Sequence, residues 1–244
     1  MTWLRNFLKE ALLGYTGNTS SFSQAGEDLI LRSLLTKRDG FYVDIGAYHP
    51  ISGSNTFFFY KFLNWKGINI DAMPGSMEPF KKKRPRDINL QVGISDHEQP
   101  LSYYSFRGMA NMNTFDVNIG EERKKNGLEV EILKIETLPL SKILERYGSS
   151  NGIDLLTIDV EGYEYNVLKS NNWEKFRPSV ILIEEDKSEL FKSRSIDLLV
   201  RHGYELVAIT PLGMDYINTT TNLYFVDGHK YAIKQSMNSL VAQA

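Results

Sequence analysis

Carboxylates follow short apolar runs at several points of this sequence, where a folded chain could bind a ligand or move a proton. Asp44 lies between one such run and Gly46. Asp71 and Asp159 end two later runs, and the pair Glu184-Glu185 ends another. Apolar runs of this length are typical of buried strands in a parallel sheet, whose ligands bind beyond the carboxyl ends of the strands. The spacing therefore predicts one site ringed by acids, although an aspartate and a glycine also suit a plain turn.

The turn after Asp44 distinguishes between cofactor classes. Asp71 follows Gly46 by about 25 residues, close to the offset at which an acid binds ribose hydroxyls in dinucleotide sites. A dinucleotide pyrophosphate needs a turn with several glycines, whereas Gly46 is followed by Ala47-Tyr48-His49-Pro50. These bulky residues and the Asp44 carboxylate disfavour an anionic group at this turn. They favour a cationic or amino-bearing ligand, such as the sulfonium end of S-adenosylmethionine, over a nicotinamide dinucleotide.

The elements that must position these acids are predicted to be strands alternating with helices. Apolar runs predict strands at 41–44, 67–71, 88–94, 153–159, 180–185, 204–210 and 222–226. Amphipathic stretches predict helices at 57–65, 75–83, 140–147, 163–170 and 188–202, and one that follows 22–28 and ends near residue 37. This order with short connections is typical of a parallel sheet with right-handed crossovers. The last strand follows its predecessor too closely for a helical crossover, so it is predicted to run antiparallel.

One stretch interrupts this alternation, at about residues 100–135. Alternating residues at 101–106 and 128–135 predict a pair of antiparallel strands. The polar segment 107–127 between them lacks clear periodicity, which is typical of a functional loop or a disordered segment. Its amides and Phe115 suit hydrogen bonding and ring stacking against a carbohydrate acceptor. A surface excursion without a binding role is the alternative.

Composition and charge restrict the class of protein. The 244 residues, of which 42% are hydrophobic, suffice for one large domain with a full core. A net charge of −2 gives no overall attraction to nucleic acid, and the absence of cysteine excludes disulfides and thiolate metal sites. We interpret the basic run 81–86 as a solvated surface beside a helix end rather than as a nucleic-acid contact.

The first 20 residues predict an amphipathic helix followed by a polar link. Leu4, Leu8 and Leu12 recur at helical spacing, and Arg5 and Lys9 interrupt the apolar residues. These charges exclude a signal-peptide core and a transmembrane span in this stretch. Packing on the main domain, residues 21–244, is the simplest interpretation. The alternatives are a membrane-surface helix, a partner-docking helix and an active-site lid. We therefore expect a cytoplasmic protein without a transmembrane segment.

Several motifs together resemble the FkbM family of S-adenosylmethionine-dependent methyltransferases over about residues 20–210. They are the segments 22–28 (FSQAGED), 43–47 (VDIGA), 54–56 (SNT), 67–71 (GINID) and 158–164 (IDVEGYE). The first and the last are the most specific, whereas many methyltransferases share the second. The resemblance implies a class I methyltransferase fold of the α/β, Rossmann-like type. Such a fold has helices on both faces of a mostly parallel seven-stranded sheet whose last strand is antiparallel. The resemblance also implies O-methylation, often of sugars in polysaccharides or glycosylated metabolites.

The resemblance assigns cofactor-binding residues as well. Asp44 and Gly46 would frame the methionine end of S-adenosylmethionine, and Asp71 would accept hydrogen bonds from the ribose hydroxyls. Ser95 and Asp96 would bracket the adenine, although both also suit a polar turn. The full predicted set is Gln24, Glu27, Asp28, Asp44, Gly46, Ala47, Asn55, Thr56, Asp71, Ala72, Ser95, Asp96 and Asp159.

The candidate catalytic residues are Asp159, Glu161, His49 and Glu185. Methyl transfer depends mostly on positioning, and a carboxylate or imidazole near the acceptor hydroxyl can take its proton. Asp159, Glu161 and Glu185 could instead hold a divalent cation through oxygen ligands, but the sequence alone assigns no metal ligands. Glu161 could also cap the next helix, and His49 could be a surface residue. Only one of Glu184 and Glu185 can face the site if the strand alternates.

The expected function is methyl transfer to a hydroxyl of a sugar or glycoside acceptor. A small non-sugar hydroxylated metabolite is an alternative acceptor, and a non-catalytic binding protein with the same fold is the alternative from another class. Acids at four strand ends favour an enzyme, because a binding scaffold needs only the apolar core. No nucleic-acid partner is expected, and the sequence is compatible with a homo-oligomer.

Overall fold

The computed structural model describes residues 20–187, 190–211 and 220–230. Its strands are β1 (Phe41–Ile45), β2 (Lys66–Asp71), β3 (Ile88–Gln91), β4 (Gly93–Ile94), β5 (Leu101–Phe106), β6 (Val130–Ile135), β7 (Thr137–Leu138), β8 (Leu155–Ile158), β9 (Val180–Asp186), β10 (Tyr204–Pro211) and β11 (Thr220–Asp227). Its α-helices are α1 (Glu27–Leu34), α2 (Phe57–Phe62), α3 (Met77–Lys83), α4 (Val117–Lys125), α5 (Leu140–Tyr147), α6 (Glu164–Lys169) and α7 (Arg194–Arg201). The predicted amphipathic helix at Leu4, Leu8 and Leu12 lies outside the described residues.

The main sheet has seven strands in the order β10-β11-β9-β8-β1-β2-β3. Strand β1 pairs in parallel with β2 and β8, while β11 runs antiparallel to both β9 and β10. The predicted mostly parallel sheet with an antiparallel last strand is therefore confirmed. The chain reverses its direction of growth between β1 and β8, and ligands of open α/β sheets bind beyond the carboxyl ends of the strands at such a switch point.

Apolar side chains on both faces of the sheet hold helices against it. On one face, Val43 and Ile158 pack in a cluster that includes Leu144 of α5 and Leu168 of α6. On the other face, Tyr42 packs in a cluster with buried side chains of α1 and α2. Successive residues of a strand point to opposite faces, so a continuous apolar run supplies both clusters. Helices on both faces were predicted and are confirmed.

The third strand differs from its predicted bounds of 88–94. Strand β3 ends at Gln91, and β4 leaves the main sheet to pair in parallel with β7. Gly93 permits this departure, because a Cβ at this position would lie 2.6 Å from Cζ of Phe115 and 2.8 Å from Cγ2 of Thr137. The apolar pattern continues through 92–94 because these residues remain near the core, although they pair with a different strand.

The inserted region contains more regular structure than its sequence pattern predicts. Strands β5 and β6 form the expected antiparallel pair. The segment 107–127 is not a structureless loop, because it holds a 3-10 turn at Ala110–Met112 and the helix α4. The Asp116 carboxylate caps α4 by accepting a hydrogen bond from the amide of Ile119 at 3.0 Å. This capping group was a helix signal, but the helix has no apolar stripe that periodicity could detect.

Two further expectations need correction. Helix α7 begins at Arg194 instead of 188, because Ser193 caps it and the preceding residues 190–192 form a 3-10 turn. The lysines of the basic run 81–86 are exposed as expected, but Arg84 is fully buried, so the interpretation as a solvated surface is wrong for that residue. Among the described residues, no helix combines the length and the apolar character needed to cross a membrane.

Candidate active site

A cavity of about 920 Å³ opens beyond the carboxyl ends of the central strands. Asp44 and Asp71 line one side of it, from β1 and β2. Asp159 and Glu161, which follow β8, line the opposite side together with Glu184 of β9. The register of the parallel strands places all these acids at one sheet edge, as the sequence predicts.

Asp44 is buried within β1, one residue before its end. Its Oδ2 accepts a hydrogen bond of 2.6 Å from the hydroxyl of Thr56. Burial raises the pKa of Asp44 to about 6, while the Thr56 hydroxyl and the Arg84 guanidinium act in the opposite direction. A carboxylate held in this way presents its remaining lone pairs to the cavity.

Asp71 ends β2 and fixes the turn that follows β1. Its Oδ2 accepts from the amide of Tyr48 at 3.1 Å, and its Oδ1 accepts from the amide of Met73 at 2.8 Å. Burial raises the pKa of Asp71, and these two amides oppose that increase. Each oxygen keeps one further acceptor position, so the side chain can still accept from a pair of ligand hydroxyls.

Gly46 joins the two sides of the cavity. Its φ of +78° lies in the left-handed region, and a Cβ at this position would lie 1.7 Å from the carbonyl oxygen of Asp159. The amide of Asp159 also donates to the carbonyl of Ile45 at 3.0 Å. Any side chain at position 46 would push the turn after β1 away from the turn after β8, which is why this glycine is needed here.

Three carboxylates crowd the far side of the cavity. One oxygen each from Asp159, Glu161 and Glu184 lies within 4.8 Å of the other two. Burial, followed by the charge of Glu184, raises the pKa of Asp159 well above its ordinary value and that of Glu161 to about 7. The Asp159 side chain remains accessible from the cavity. Such a cluster can hold a proton, a cation or several hydroxyl groups.

Arg123 of α4 extends from the inserted region to this cluster. Its Nη2 lies 2.7 Å from Oε2 of Glu161 and opposes the increase in the pKa of that residue. The Thr114 hydroxyl donates to the carbonyl of Glu161 at 2.8 Å. These contacts hold Glu161 at a φ of 55°, a backbone conformation that residues other than glycine rarely adopt.

The predicted site residues divide into two groups. Those that line the cavity are Gln24, Asp44, Gly46, Ala47, Asn55, Asp71, Ala72, Asp159 and Glu161. Those outside its lining are Glu27, Asp28, His49, Thr56, Ser95, Asp96 and Glu185. Asn55 is tied to the floor of the cavity, because its amide nitrogen donates to the hydroxyl of Thr157 in β8 at 3.3 Å.

The residues outside the lining mostly support the site. Glu27 accepts from the amide of Ala25 and from Asn222, and Asp28 accepts from the hydroxyls of Ser21 and Ser23. These bonds hold the segment 21–28, which includes Gln24, in place. Residues His49, Asp96 and Glu185 serve locally: Nδ1 of His49 accepts from the amides of Ile51 and Ser52, Asp96 pairs with Lys169, and Glu185 accepts from Ser193.

Sequence reasoning missed three residues of the site. Glu184, not Glu185, faces the cavity, because β9 alternates and the pattern of an acid pair could not fix its register. Arg123 had no signal of its own among the charges of α4. Tyr103 lines the cavity next to Phe115, with ring centroids 4.7 Å apart, and only the pairing of β5 with β6 brings it there.

Comparisons with known proteins give the following results. The model of the methyltransferase FkbM domain matches residues 44–206. No curated protein matches the chain. A TehB-like S-adenosylmethionine-dependent methyltransferase from Corynebacterium glutamicum has a TM-score of 0.45 and 12% identity, with 91% of this chain and 97% of that chain covered. A fibrillarin from Aeropyrum pernix with bound S-adenosyl-L-methionine has a TM-score of 0.44 and 14% identity, with 82% and 73% covered. The N-methyltransferase NodS from Bradyrhizobium japonicum has a TM-score of 0.44 and 8% identity, with 82% and 93% covered.

The family match covers more than half of the chain, from the end of β1 through β9, and it includes the acids on both sides of the cavity. It agrees with the resemblance found in the sequence motifs. The chain belongs to the FkbM methyltransferase domain family.

Proposed function

We propose that this S-adenosylmethionine-dependent methyltransferase methylates a hydroxyl group of a sugar, in a polysaccharide or a glycosylated metabolite. The observation that carries the proposal is the contact between the two sides of the cavity at Gly46 and Asp159. It sets a group of proton-accepting carboxylates directly beside the turn that would hold the methyl donor. Family membership establishes the class of reaction, and the hydroxyl and its sugar are our inference.

The residues on the side of the cavity formed by β1 and β2 fit S-adenosylmethionine, which supplies an electrophilic methyl group when bound. Asp44 would receive the amino-bearing methionine end, and Gln24 and Asn55 line the same cavity. Asp71 would accept from both ribose hydroxyls through its free lone pairs. The adenine would lie against Val92–Ile94, which lines the cavity. Ser95 and Asp96, directly after this segment, would support the adenine from behind.

On the far side, Asp159 and Glu161 would act on the acceptor hydroxyl. A base works best when its pKa lies near the working pH, and the pKa of Glu161 is about 7. Asp159 would orient the hydroxyl and take its proton together with Glu161, while Arg123 holds Glu161 in place. Neutral sugars suit this group of acids, because several adjacent hydroxyls of a sugar can donate hydrogen bonds to the crowded carboxylates at once. The rings of Tyr103, Phe115 and Tyr163 also line the cavity and could stack on a sugar face.

The test is detection of a methylated product by mass spectrometry. The full chain is incubated with S-adenosylmethionine and a panel of oligosaccharides, glycosides and nucleotide sugars, together with non-sugar phenols and alcohols. We expect a mass increase of one methyl group on a sugar, and fragmentation should place it on oxygen. Methylation of only the non-sugar compounds would show that the acceptor is not a sugar. Methylation on nitrogen would overturn O-methylation.

A parallel set of reactions with a chelator, and with Mg²⁺ or Mn²⁺ added, tests whether Asp159, Glu161 and Glu184 act through a divalent cation. Loss of turnover with the chelator and its recovery with metal would mean that these residues act as metal ligands and not as bases. Turnover that does not change with the chelator supports the base role.

A further inference from the structure

Arg84 is a fully buried arginine in the middle of the fold, although it ends a run of exposed lysines. Its Nε donates to the carbonyl of Pro50 at 2.7 Å, and its Nη2 donates to the hydroxyl of Ser54 at 2.6 Å. Its Nη1 donates to the hydroxyl of Thr56 at 2.7 Å and to the amide oxygen of Asn69 at 3.2 Å. The guanidinium therefore ties the turn after β1 to the entrance of α2 and to β2.

No carboxylate forms an ion pair with Arg84 in the described part of the chain. A buried cation without a counter-charge is strongly unfavourable unless neutral groups solvate it. The nearest acids, Asp44 and Asp87, are reached through neutral side chains. Thr56 connects Arg84 with Asp44, while Asn69 connects it with Asp87 through a hydrogen bond of 3.0 Å.

The chemistry of the three groups fixes the direction of the hydrogen bonds. Arginine has no acceptor, so the Thr56 oxygen must accept from Arg84. The single proton of that hydroxyl is then free to point at Asp44, whose Oδ2 lies 2.6 Å away. A hydroxyl that donates to a carboxylate favours its ionised form. The positive charge of Arg84 is thus transmitted to the cavity by an oriented hydroxyl.

We propose that Arg84 is a positioning residue for cofactor binding, which acts through Thr56 to keep Asp44 an ionised acceptor facing the methionine end of S-adenosylmethionine. The proposal rests on the placement of Asp44 against the cofactor given above. It adds a residue that lies outside the cavity lining and outside the motifs that resemble the FkbM family. The same arginine orders the turn between Pro50 and Ser54, so loss of stability alone does not test the proposal.

The charges around Asp44 decide the sign of the expected effect. Arg84 follows α3, Asp87 precedes β3, Asp71 ends β2, and Tyr42 lies on the same strand as Asp44. Burial raises the pKa of Asp44 to about 6, Thr56 and Arg84 lower it, and Asp87 and Asp71 raise it. Removal of Arg84 or of the Thr56 hydroxyl therefore raises this pKa further. More Asp44 is then protonated at neutral pH, so affinity for an amino-bearing ligand is lost there. It recovers as the pH rises only while the amino group of the ligand keeps its proton.

The test is calorimetric titration of S-adenosylmethionine into the full chain between about pH 5.5 and 9. The variants are Arg84→Met, Thr56→Val and the double variant, with Thr56→Ser to restore the hydroxyl. Arg86→Met is the matched control, because Arg86 belongs to the same basic run and donates to the carbonyl of Tyr60, away from Asp44.

We expect Arg84→Met and Thr56→Val each to weaken binding about tenfold at pH 7 and to move the midpoint of its pH dependence up by about one unit. The double variant should be no worse than the more affected single variant, because both changes interrupt one path. Thr56→Ser and Arg86→Met should keep the wild-type midpoint, whatever their melting temperatures.

Unshifted midpoints in Arg84→Met and Thr56→Val would overturn the proposal, and additive losses in the double variant would overturn the path through Thr56. If Arg84→Met does not fold, Thr56→Val alone tests the proposal, because the midpoint of the pH dependence of its cofactor binding must still move. Asp44→Asn separates the two levels of inference. Unchanged affinity in Asp44→Asn would overturn the placement of Asp44, and the Arg84 path with it. Reduced affinity in Asp44→Asn with unshifted midpoints elsewhere would overturn the path and leave the placement standing.

Discussion

The acids on the two sides of the cavity, which we propose bind the cofactor and the acceptor, have different surroundings. On the side that we propose binds the cofactor, Asp44 and Asp71 each accept hydrogen bonds from fixed donors of the fold. On the acceptor side, Asp159, Glu161 and Glu184 face one another, and Arg123 contacts Glu161. Fixed donors prepare a carboxylate for binding, because its charge and direction are set before the ligand arrives. Crowded carboxylates instead compete for protons, which suits them to chemistry.

The largest expected effect breaks the acceptor side alone. Asp159→Asn should lower kcat by about 10²- to 10⁴-fold, the range for loss of a positioned proton acceptor, while affinity for S-adenosylmethionine stays close to wild type. Asp154→Asn is the control, because Asp154 lies at the opposite end of the same strand and accepts from the amide of Phe41. Single-turnover rates and calorimetry measure the two quantities. An unchanged kcat in Asp159→Asn would remove this residue from the mechanism.

The reciprocal experiment breaks the cofactor side. Asp71→Asn should weaken binding of S-adenosylmethionine about 10- to 100-fold, the cost of losing hydrogen bonds to a charged acceptor. The kcat at saturating cofactor should change little, since Asp71 is distant from the acceptor acids in the proposed arrangement. Calorimetry and saturation kinetics separate the two. Equal losses in kcat and affinity would show that the two sides are not independent.

The pH dependence of stability sharpens the comparison on the acceptor side. Glu164 is buried, its Oε1 accepts from the amides of Val160 and Gly162, and burial raises its pKa to about 8. A native pKa above the unfolded value means that the folded state binds more protons between the two values. This stabilisation is therefore complete below the unfolded pKa and is lost as the pH rises through about 8.

Glu164→Gln should remove most of this dependence. The expected gain at pH 9 relative to wild type is on the order of 4 kcal/mol in the free energy of unfolding, with a much smaller change at pH 5. Urea unfolding at the two pH values measures it. An equal slope with pH in both proteins would contradict the raised pKa. The neighbouring acids Asp159 and Glu161 should leave part of the slope in the variant, because their pKa values are raised as well.

The smallest effect concerns Arg123, the cation that joins the inserted region to the acids. Arg123→Met should raise the pKa of Glu161 above about 7, so the acidic limb of the kcat/KM profile should move up by about one pH unit. Lys124→Met is the control, because Lys124 is exposed on the same helix and pairs with Glu121. An acidic limb that stays in place would mean that Glu161 is not the base that this profile reports.

Much of the fold followed from the sequence because its signals are local. Each apolar run of β1, β8 and β9 is too continuous for a surface strand and too short for a helix, so burial in a parallel sheet was the remaining solution. The short link before β11 excluded a helical crossover. Helix α4 was missed for the opposite reason: its few apolar residues form no stripe at helical spacing, and only the cap at Asp116 marks its start.

The candidate site could be predicted only in part. The sequence determined that acids would meet at one edge of the sheet, because parallel strands of known direction end together. It could not choose Glu184 over Glu185, since a shift of one residue exchanges the two faces of a strand. It also gave Arg84 no feature that distinguishes it from its three neighbouring lysines.

The sequence by itself thus determined the class of fold, the edge of the sheet at which the acids meet and the absence of a pyrophosphate turn. Only the tertiary structure decided which acids have fixed donors, which ones crowd together and which cation stands behind Asp44. The physical reason is range. Burial of an apolar run depends on the run itself, whereas the ionisation of a carboxylate depends on charges and donors that distant segments bring to within a few ångströms.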